Sequence, residues 1–76
     1  MSPESAQARA ALGDRLTKSL QFADLSPSQM ADRLAITEPT AQSWLAGTSS
    51  PRLAHLMVWA RASGVPFEWL TGTEEP

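Results

Sequence analysis

The sequence contains no cysteine and only one histidine, His55. Without cysteine, both a disulfide scaffold and a thiolate metal site are excluded. His55 falls on the expected outer face of a helix with no carboxylate cluster beside it, so we expect a surface residue rather than a metal ligand or a catalytic base. No nucleophile–base arrangement and no glycine-rich phosphate loop is present. We therefore expect no enzymatic activity, no cofactor and no metal.

Long apolar runs are also missing. The longest, residues 56–60, is far shorter than the roughly 20 residues that a membrane span needs. The first residues carry no signal-peptide pattern, which favours a cytoplasmic protein without membrane contact. Seventy-six residues allow one small domain, and an apolar fraction of 42% is sufficient for a core.

A basic excess is absent too, since six Lys and Arg stand against eight Asp and Glu, for a net charge of −2. Proteins that bind nucleic acid usually carry excess positive charge, because neutralising phosphates releases counterions. Glu74 and Glu75 belong to an expected tail, residues 73–76, and without them six acids balance six bases. The charge favours modest or cooperative DNA binding and does not exclude it.

The first part of the chain predicts one long helix. Residues 1–5 are a flexible arm or a helix start, and we take them as an arm. From Ala6 onward good helix formers dominate, and one apolar stripe repeats every four residues: Ala8, Leu12, Leu16 and Leu20. Gly13 interrupts this pattern at a cost of about 1 kcal/mol relative to Ala.

Two short helices follow in close succession. Ser26, Pro27 and Gln29 form the start of the first, with a capping box, and Met30, Ala31 and Leu34 form its inner face. Thr37 caps the next helix, residues 38–46, which Gly47 ends. Ala41, Trp44 and Leu45 form its buried side. The short connection between the two helices predicts a sharp angle.

Two further helices complete the chain. Residues 52–63 form the fourth, ended by Gly64, and Pro66 opens a fifth that Gly72 ends. The inward residues of the fourth helix are Leu53, Leu56, Trp59 and Ala60, and the fifth helix carries Phe67, Trp69 and Leu70. We predict a compact all-α domain of five helices over residues 6–72.

The order of these pieces resembles the helix-turn-helix domains of phage lambda repressor and Cro type, over roughly residues 12–72. The motifs that carry the resemblance are Leu25-Ser26, Met30-Ala31, Leu34-Ala35-Ile36-Thr37, Ala41 and Trp44, Pro51, Leu53, Leu56, Ala60, Gly64-Val65-Pro66 and Phe67-Glu68-Trp69-Leu70-Thr71-Gly72.

The resemblance implies that the third helix enters the major groove of duplex DNA. Carried over by position, the base-contacting residues are Glu38, Pro39, Thr40, Gln42 and Ser43. Carboxylates, amides and hydroxyls can all hydrogen-bond to base edges. The implied phosphate contacts are Ser26, Arg33, Thr37, Thr48, Ser49, Ser50 and Arg52.

The sequence departs from this family at several positions. Pro27 stands where the family often has Gln, and Glu38 and Pro39 stand where it prefers small polar or basic residues. Many members pair an Arg late in the first helix with a Glu in the third, where this chain has Leu20 and Leu45. Such an exchange of an ion pair for apolar packing can be neutral or stabilising.

The tryptophans allow two interpretations. A stacking surface for single strands is one, but helical spacing favours core positions for Trp44 and Trp59. Phe67, Trp69 and Leu70 either close the core or form a dimer face.

We expect a transcriptional regulator that binds double-stranded DNA as a homodimer. The alternative is a domain of the same fold that acts through a protein partner, as an antirepressor, an antitoxin or a dimerisation module. Net charge, Pro27 and Glu38 favour this alternative.

Overall fold

The computed structural model describes residues 3–72, with side chains from residue 5 onward. Within this part of the chain it contains five helices and no strand. They are α1 (Pro3–Ala23), α2 (Pro27–Leu34), α3 (Glu38–Leu45), α4 (Leu53–Ser63) and α5 (Phe67–Thr71). The all-α fold class is confirmed. None of these helices is both long and apolar enough to cross a membrane.

Helix α1 begins earlier than predicted. Its first residue is Pro3 rather than Ala6, so residues 3–5 are helical and do not form an arm. Proline is tolerated in a first helical turn, because the N–H that it lacks would have no partner there. Met1, Ser2 and the predicted tail, residues 73–76, lie outside the described residues.

The predicted caps set the boundaries of α2 and α3. Ser26 Oγ accepts a hydrogen bond from the N–H of Gln29 at 3.1 Å, and Gln29 Oε1 accepts one from the N–H of Ser26 at 2.8 Å. This capping box satisfies two backbone donors that a helix start leaves without partners. Thr37 is the N-cap of α3. Ala35 ends α2 in the left-handed region, at φ 57°, and three residues join α2 to α3.

The core lies where all five helices meet. Helix α1 packs against α3, α4 and α5, and α2 packs against α3 and α4. The buried apolar side chains are Leu16, Leu20, Met30, Ala31, Leu34, Ala41, Trp44, Leu56, Trp59, Ala60 and Leu70. Leu45 is half-buried and packs against this core.

Two predicted core positions are wrong. Ala8 is exposed, and Leu53 is 63% exposed. Leu53 is the first residue of α4 and lies beside a surface groove, beyond the edge of the core.

The core also holds a polar residue that the apolar pattern did not indicate, Ser19. Its hydroxyl donates to the carbonyl of Leu16 and accepts from Trp59 Nε1 at 2.8 Å, so both buried polar groups are satisfied.

Gly13 lies inside an unbroken α1, where this helix contacts the end of α3. A Cβ atom at this position would lie 2.5 Å from the carbonyl oxygen of Leu45 and 3.0 Å from that of Trp44. These are backbone atoms, which cannot move without shifting α3. The glycine that weakens α1 as an isolated helix is therefore what lets α1 contact the end of α3.

Gly13→Ala tests this contact, because helix propensity predicts a more stable protein and packing predicts a less stable one. Propensity alone would stabilise the protein by about 1 kcal/mol. We expect instead a destabilisation of about 2 kcal/mol, typical of overpacking, seen as a Tm about 10 °C lower. Ala11→Gly, on the exposed side of α1, is the matched control and should lower the free energy of unfolding by only about 1 kcal/mol. A Gly13→Ala variant more stable than the parent would show that the helices do not meet at this distance.

Candidate nucleic-acid interface

The start of α3 is fixed by hydroxyl groups. Thr37 Oγ1 accepts a hydrogen bond from the N–H of Thr40 at 3.4 Å, and the two threonine hydroxyls lie 2.8 Å apart. Glu38 lies in the first turn, where a negative charge favours the positive end of the helix dipole. The helix ends at Leu45, one residue before the predicted end, with Ala46 as its C-cap.

Aromatic packing fixes the rotation of α3 about its own axis. Ala41 is fully buried and Trp44 is 6% exposed. The Trp44 ring centroid lies 5.3 Å from that of His55 and 6.1 Å from that of Trp59, both in α4. The predicted core positions of Trp44 and Trp59 are confirmed. Because these contacts determine which side of α3 faces the core, they also determine which side faces solvent.

The five predicted base-contacting residues remain accessible on α3. Glu38, Pro39 and Gln42 are exposed, whereas Thr40 and Ser43 are half-buried. No described residue forms a hydrogen bond with the side chain of Gln42 or Glu38. These two side chains can therefore bind a ligand without breaking an intramolecular hydrogen bond.

Ser43 is already engaged within the protein. Its hydroxyl donates to the carbonyl of Thr40 at 2.7 Å and lies 2.7 Å from Ser49 Oγ. Since a serine hydroxyl has a single hydrogen, Ser49 must be the donor of the second bond. Ser43 can therefore donate to a base only by releasing Thr40. Its main role in the structure is to join α3 to the loop that follows.

The loop after α3 is held against the end of that helix. Thr48 donates to the carbonyl of Ser43 both from its N–H, at 3.0 Å, and from its hydroxyl, at 3.1 Å. Gly47 adopts φ 76°, and its carbonyl accepts a hydrogen bond from Arg9 Nε of α1 at 3.2 Å. The loop is thus hydrogen-bonded both to α3 and to α1.

The seven predicted phosphate contacts all lie on exposed residues, in three short segments of the chain. Ser26 is the N-cap of α2, Arg33 lies within α2, and Thr37 is the N-cap of α3. The other four follow α3 in the chain: Thr48, Ser49, Ser50 and Arg52. Ser26 and Thr37 use their hydroxyls as helix caps. Two of the seven are cations: Arg33 lies in the last turn of α2, and Arg52 is the N-cap of α4.

The other two cations of α1 are Lys18 and Arg15. Lys18 Nζ lies 3.0 Å from a carboxylate oxygen of Asp14, one turn away on the same exposed face. The Arg15 guanidinium lies beside Gly72 at the end of α5.

The possible dimer face on α5 is only partly accessible. Leu70 is fully buried, whereas Phe67 and Trp69 are half-buried and pack against the core. The largest exposed apolar side chains are instead Phe22 on α1 and three residues of α4, namely Leu53, Met57 and Val58.

His55 is not the surface residue that the sequence predicted. It is half-buried beside Trp44, and its Nδ1 atom is buried with no hydrogen-bond partner. The helical pattern placed His55 outside the apolar stripe of α4, but α3 covers that flank. The contacts that Arg9 and Gly13 make with the end of α3 and its loop were not predicted from the sequence either. The unexplained glycine inside an apolar helical pattern was the one available indication of a close helix contact.

Comparison with known proteins finds no matching family model, no matching curated protein and no matching solved structure.

His55→Phe tests the packing behind the candidate interface. An unsatisfied buried nitrogen costs about 1 kcal/mol or more, so replacing the imidazole by a phenyl ring should raise the free energy of unfolding by about that amount. His55→Ala should lower it, because the contact with Trp44 is lost. Urea denaturation of both variants measures the two effects. If both variants lost the same free energy of unfolding, the account of Nδ1 as a buried atom without a hydrogen-bond partner would be wrong.

Proposed function

We propose that this chain is a sequence-specific transcriptional regulator that binds duplex DNA in the cytoplasm, with α3 in the major groove. The observation that carries the proposal is the exposed polar face of α3, whose Gln42 and Glu38 side chains form no intramolecular hydrogen bond. The three-residue connection between α2 and α3 supports a helix-turn-helix of lambda repressor and Cro type.

The proposed base contacts follow from the chemistry of the free side chains. The Gln42 amide can bond in a bidentate manner to adenine N6 and N7, and the Glu38 carboxylate can accept from cytosine N4–H. Pro39 and Thr40 can add apolar contact with a thymine methyl group. Ser43 contributes mainly by holding the loop after α3 in place. Gln42 is therefore the side chain on which we expect specificity to depend most.

The proposed phosphate contacts predict a weak dependence on salt. Each neutralised phosphate lowers the slope of log K against log salt by about 0.9. With Arg33 and Arg52 as the cations of the interface, we expect a slope of about −2 for each bound subunit. Hydroxyl groups of Ser49 and Ser50 and backbone N–H groups would complete these contacts.

We further propose that the DNA-bound form is a homodimer joined through α4. A surface groove here has a volume of about 480 Å³ and an exposed apolar rim that includes Leu53 and Met57. A two-fold interface places the same surface on both subunits, so Leu53 of each copy would enter the groove of the other. The full lining is Leu53, Met57, Ala60, Arg61, Val65 and Phe67.

The same α4 surface supports the second candidate function. Exposed contiguous apolar residues are typical of protein–protein contact sites, and the net charge of −2 does not favour DNA. On this account the chain acts through a protein partner, and α3 does not contact bases.

Fluorescence anisotropy distinguishes the two functions. The ligands are a labelled duplex from the region upstream of the gene that encodes the chain, and a scrambled duplex of equal composition. We expect preference for the upstream duplex and an affinity about tenfold lower for Gln42→Ala, the usual size of one bidentate contact. Gln21→Ala, an exposed glutamine on α1, is the matched control and should bind like the parent.

Two results would contradict the DNA-binding proposal. One is the absence of binding at low salt with high micromolar protein. The other is equal affinity of the parent, Gln42→Ala and Gln21→Ala for both duplexes. Either result would leave the protein-partner function as the better account.

A further inference from the structure

The loop that joins α3 to α4, residues 46–52, carries hydrogen-bond donors that the fold does not use. Ser49 and Ser50 are exposed, and their backbone N–H groups and the Ser50 hydroxyl have no hydrogen-bond partner among the described residues. Backbone N–H and hydroxyl groups are common donors to phosphate oxygens. Such donors bind more tightly when the loop already holds one position, because less conformational freedom is then lost on binding.

Thr48 and Ser49 attach this loop to α3, and both contact Ser43. Thr48 donates to the carbonyl of Ser43 from its N–H and from its hydroxyl. The hydroxyl of Ser49 lies 2.7 Å from that of Ser43. These contacts join residues that are close in the chain, so they fix the loop to the last turn of α3 and not to the rest of the domain.

Arg9 attaches the same loop to α1. Its Nε–H donates to the carbonyl of Gly47 at 3.2 Å, and the two residues are 38 positions apart in the chain. The backbone of Gly47 also lies against that of α1, since a Cβ atom at this position would lie 3.1 Å from Ala10 Cα. Arg9 is half-buried, and a charged donor forms a stronger hydrogen bond than a neutral one. The position of the loop relative to the domain therefore depends on Arg9.

The charge of Arg9 acts in the same direction as its hydrogen bond. Carbonyl groups at the end of a helix carry partial negative charge, which a nearby cation stabilises. The last turn of α3 contains no basic residue of its own. The guanidinium of Arg9 supplies this cation from a different helix, because it is bonded to a carbonyl two residues beyond Leu45.

We propose that Arg9 is a positioning residue for DNA binding, an inference that rests on the proposed function. Arg9 holds the donors of Ser49 and Ser50 in position for the phosphate backbone, while Gln42 contacts the bases. Arg9 itself does not contact DNA. It lies on α1, outside the helix-turn-helix.

Fluorescence anisotropy with the upstream and scrambled duplexes, each over a series of salt concentrations, tests the proposal on the full chain. We expect Arg9→Gln to weaken the binding of both duplexes about tenfold, because the loop must then be ordered on binding. The preference for the upstream duplex should stay the same, since phosphate contacts carry no sequence information. The slope of log K against log salt should also stay the same, since the lost contacts come from neutral donors. Lys18→Gln, which removes an exposed cation of the same helix, is the matched control and should bind like the parent.

The failure of this proposal and the failure of the proposed function give different results. A parent that binds neither duplex contradicts the proposed function, and the role of Arg9 with it. If the parent binds and Arg9→Gln binds equally well, only the role of Arg9 is wrong. A salt slope smaller in magnitude by about 0.9 for Arg9→Gln would show that Arg9 itself binds a phosphate, which overturns the proposal. An equal loss of affinity in Lys18→Gln also overturns it, since overall charge would then be the cause.

Amide chemical shifts separate an effect on the loop from a loss of folding. When DNA is added to the ¹⁵N-labelled parent, the amides of Ser49, Ser50 and Gln42 should shift. In Arg9→Gln at saturating DNA the shift of Gln42 should remain, whereas those of Ser49 and Ser50 should become smaller. A variant that is only less stable would keep all three shifts in its folded fraction, and that result contradicts the proposal. If Arg9→Gln does not fold, Arg9→Lys, which keeps the charge and lacks Nε–H, gives the same comparison with a smaller loss.

Discussion

The close contact between α1 and the end of α3 is the constraint on which the rest of the structure depends. Gly13 allows the carbonyl oxygens of Trp44 and Leu45 to approach α1 at a distance that excludes any Cβ atom. Arg9 adds a hydrogen bond to the carbonyl of Gly47. The position of α3 along α1 is therefore set by backbone atoms, which a rearrangement of side chains cannot change. With that position fixed, Trp44 packs against His55 and Trp59 of α4.

The polar residues on the outward side of α3 fall into two groups, according to whether their side chains form hydrogen bonds within the protein. Hydroxyl groups of Thr37, Thr40 and Ser43 satisfy each other or the backbone, so they maintain the shape of the helix and its loop. The side chains of Gln42 and Glu38 form no such hydrogen bonds. A stable scaffold that leaves a small number of side chains free is the arrangement that preorganised recognition requires, because little conformational freedom is lost on binding.

Local physics made much of this fold predictable. Caps at Ser26 and Thr37 and the glycines after α3, α4 and α5 mark helix boundaries through interactions within a few residues. The apolar spacing gave most of the core. Leu53, Ser19 and His55 were not predictable in the same way, since their burial depends on which distant element covers them. The candidate base-contacting residues could be named from sequence, but only the structure distinguishes engaged Ser43 from free Gln42.

Chemical-shift mapping of the ¹⁵N-labelled protein with duplex DNA tests the central claim most directly, namely that the outward face of α3 is the recognition surface. The account predicts the largest shifts at the amides of Glu38, Thr40 and Gln42, and at the Gln42 side-chain amide. Amides of Leu53 and Met57 in α4 should shift only in so far as the subunits associate. Saturable shifts confined to α4, with those of α3 unchanged, would contradict the account.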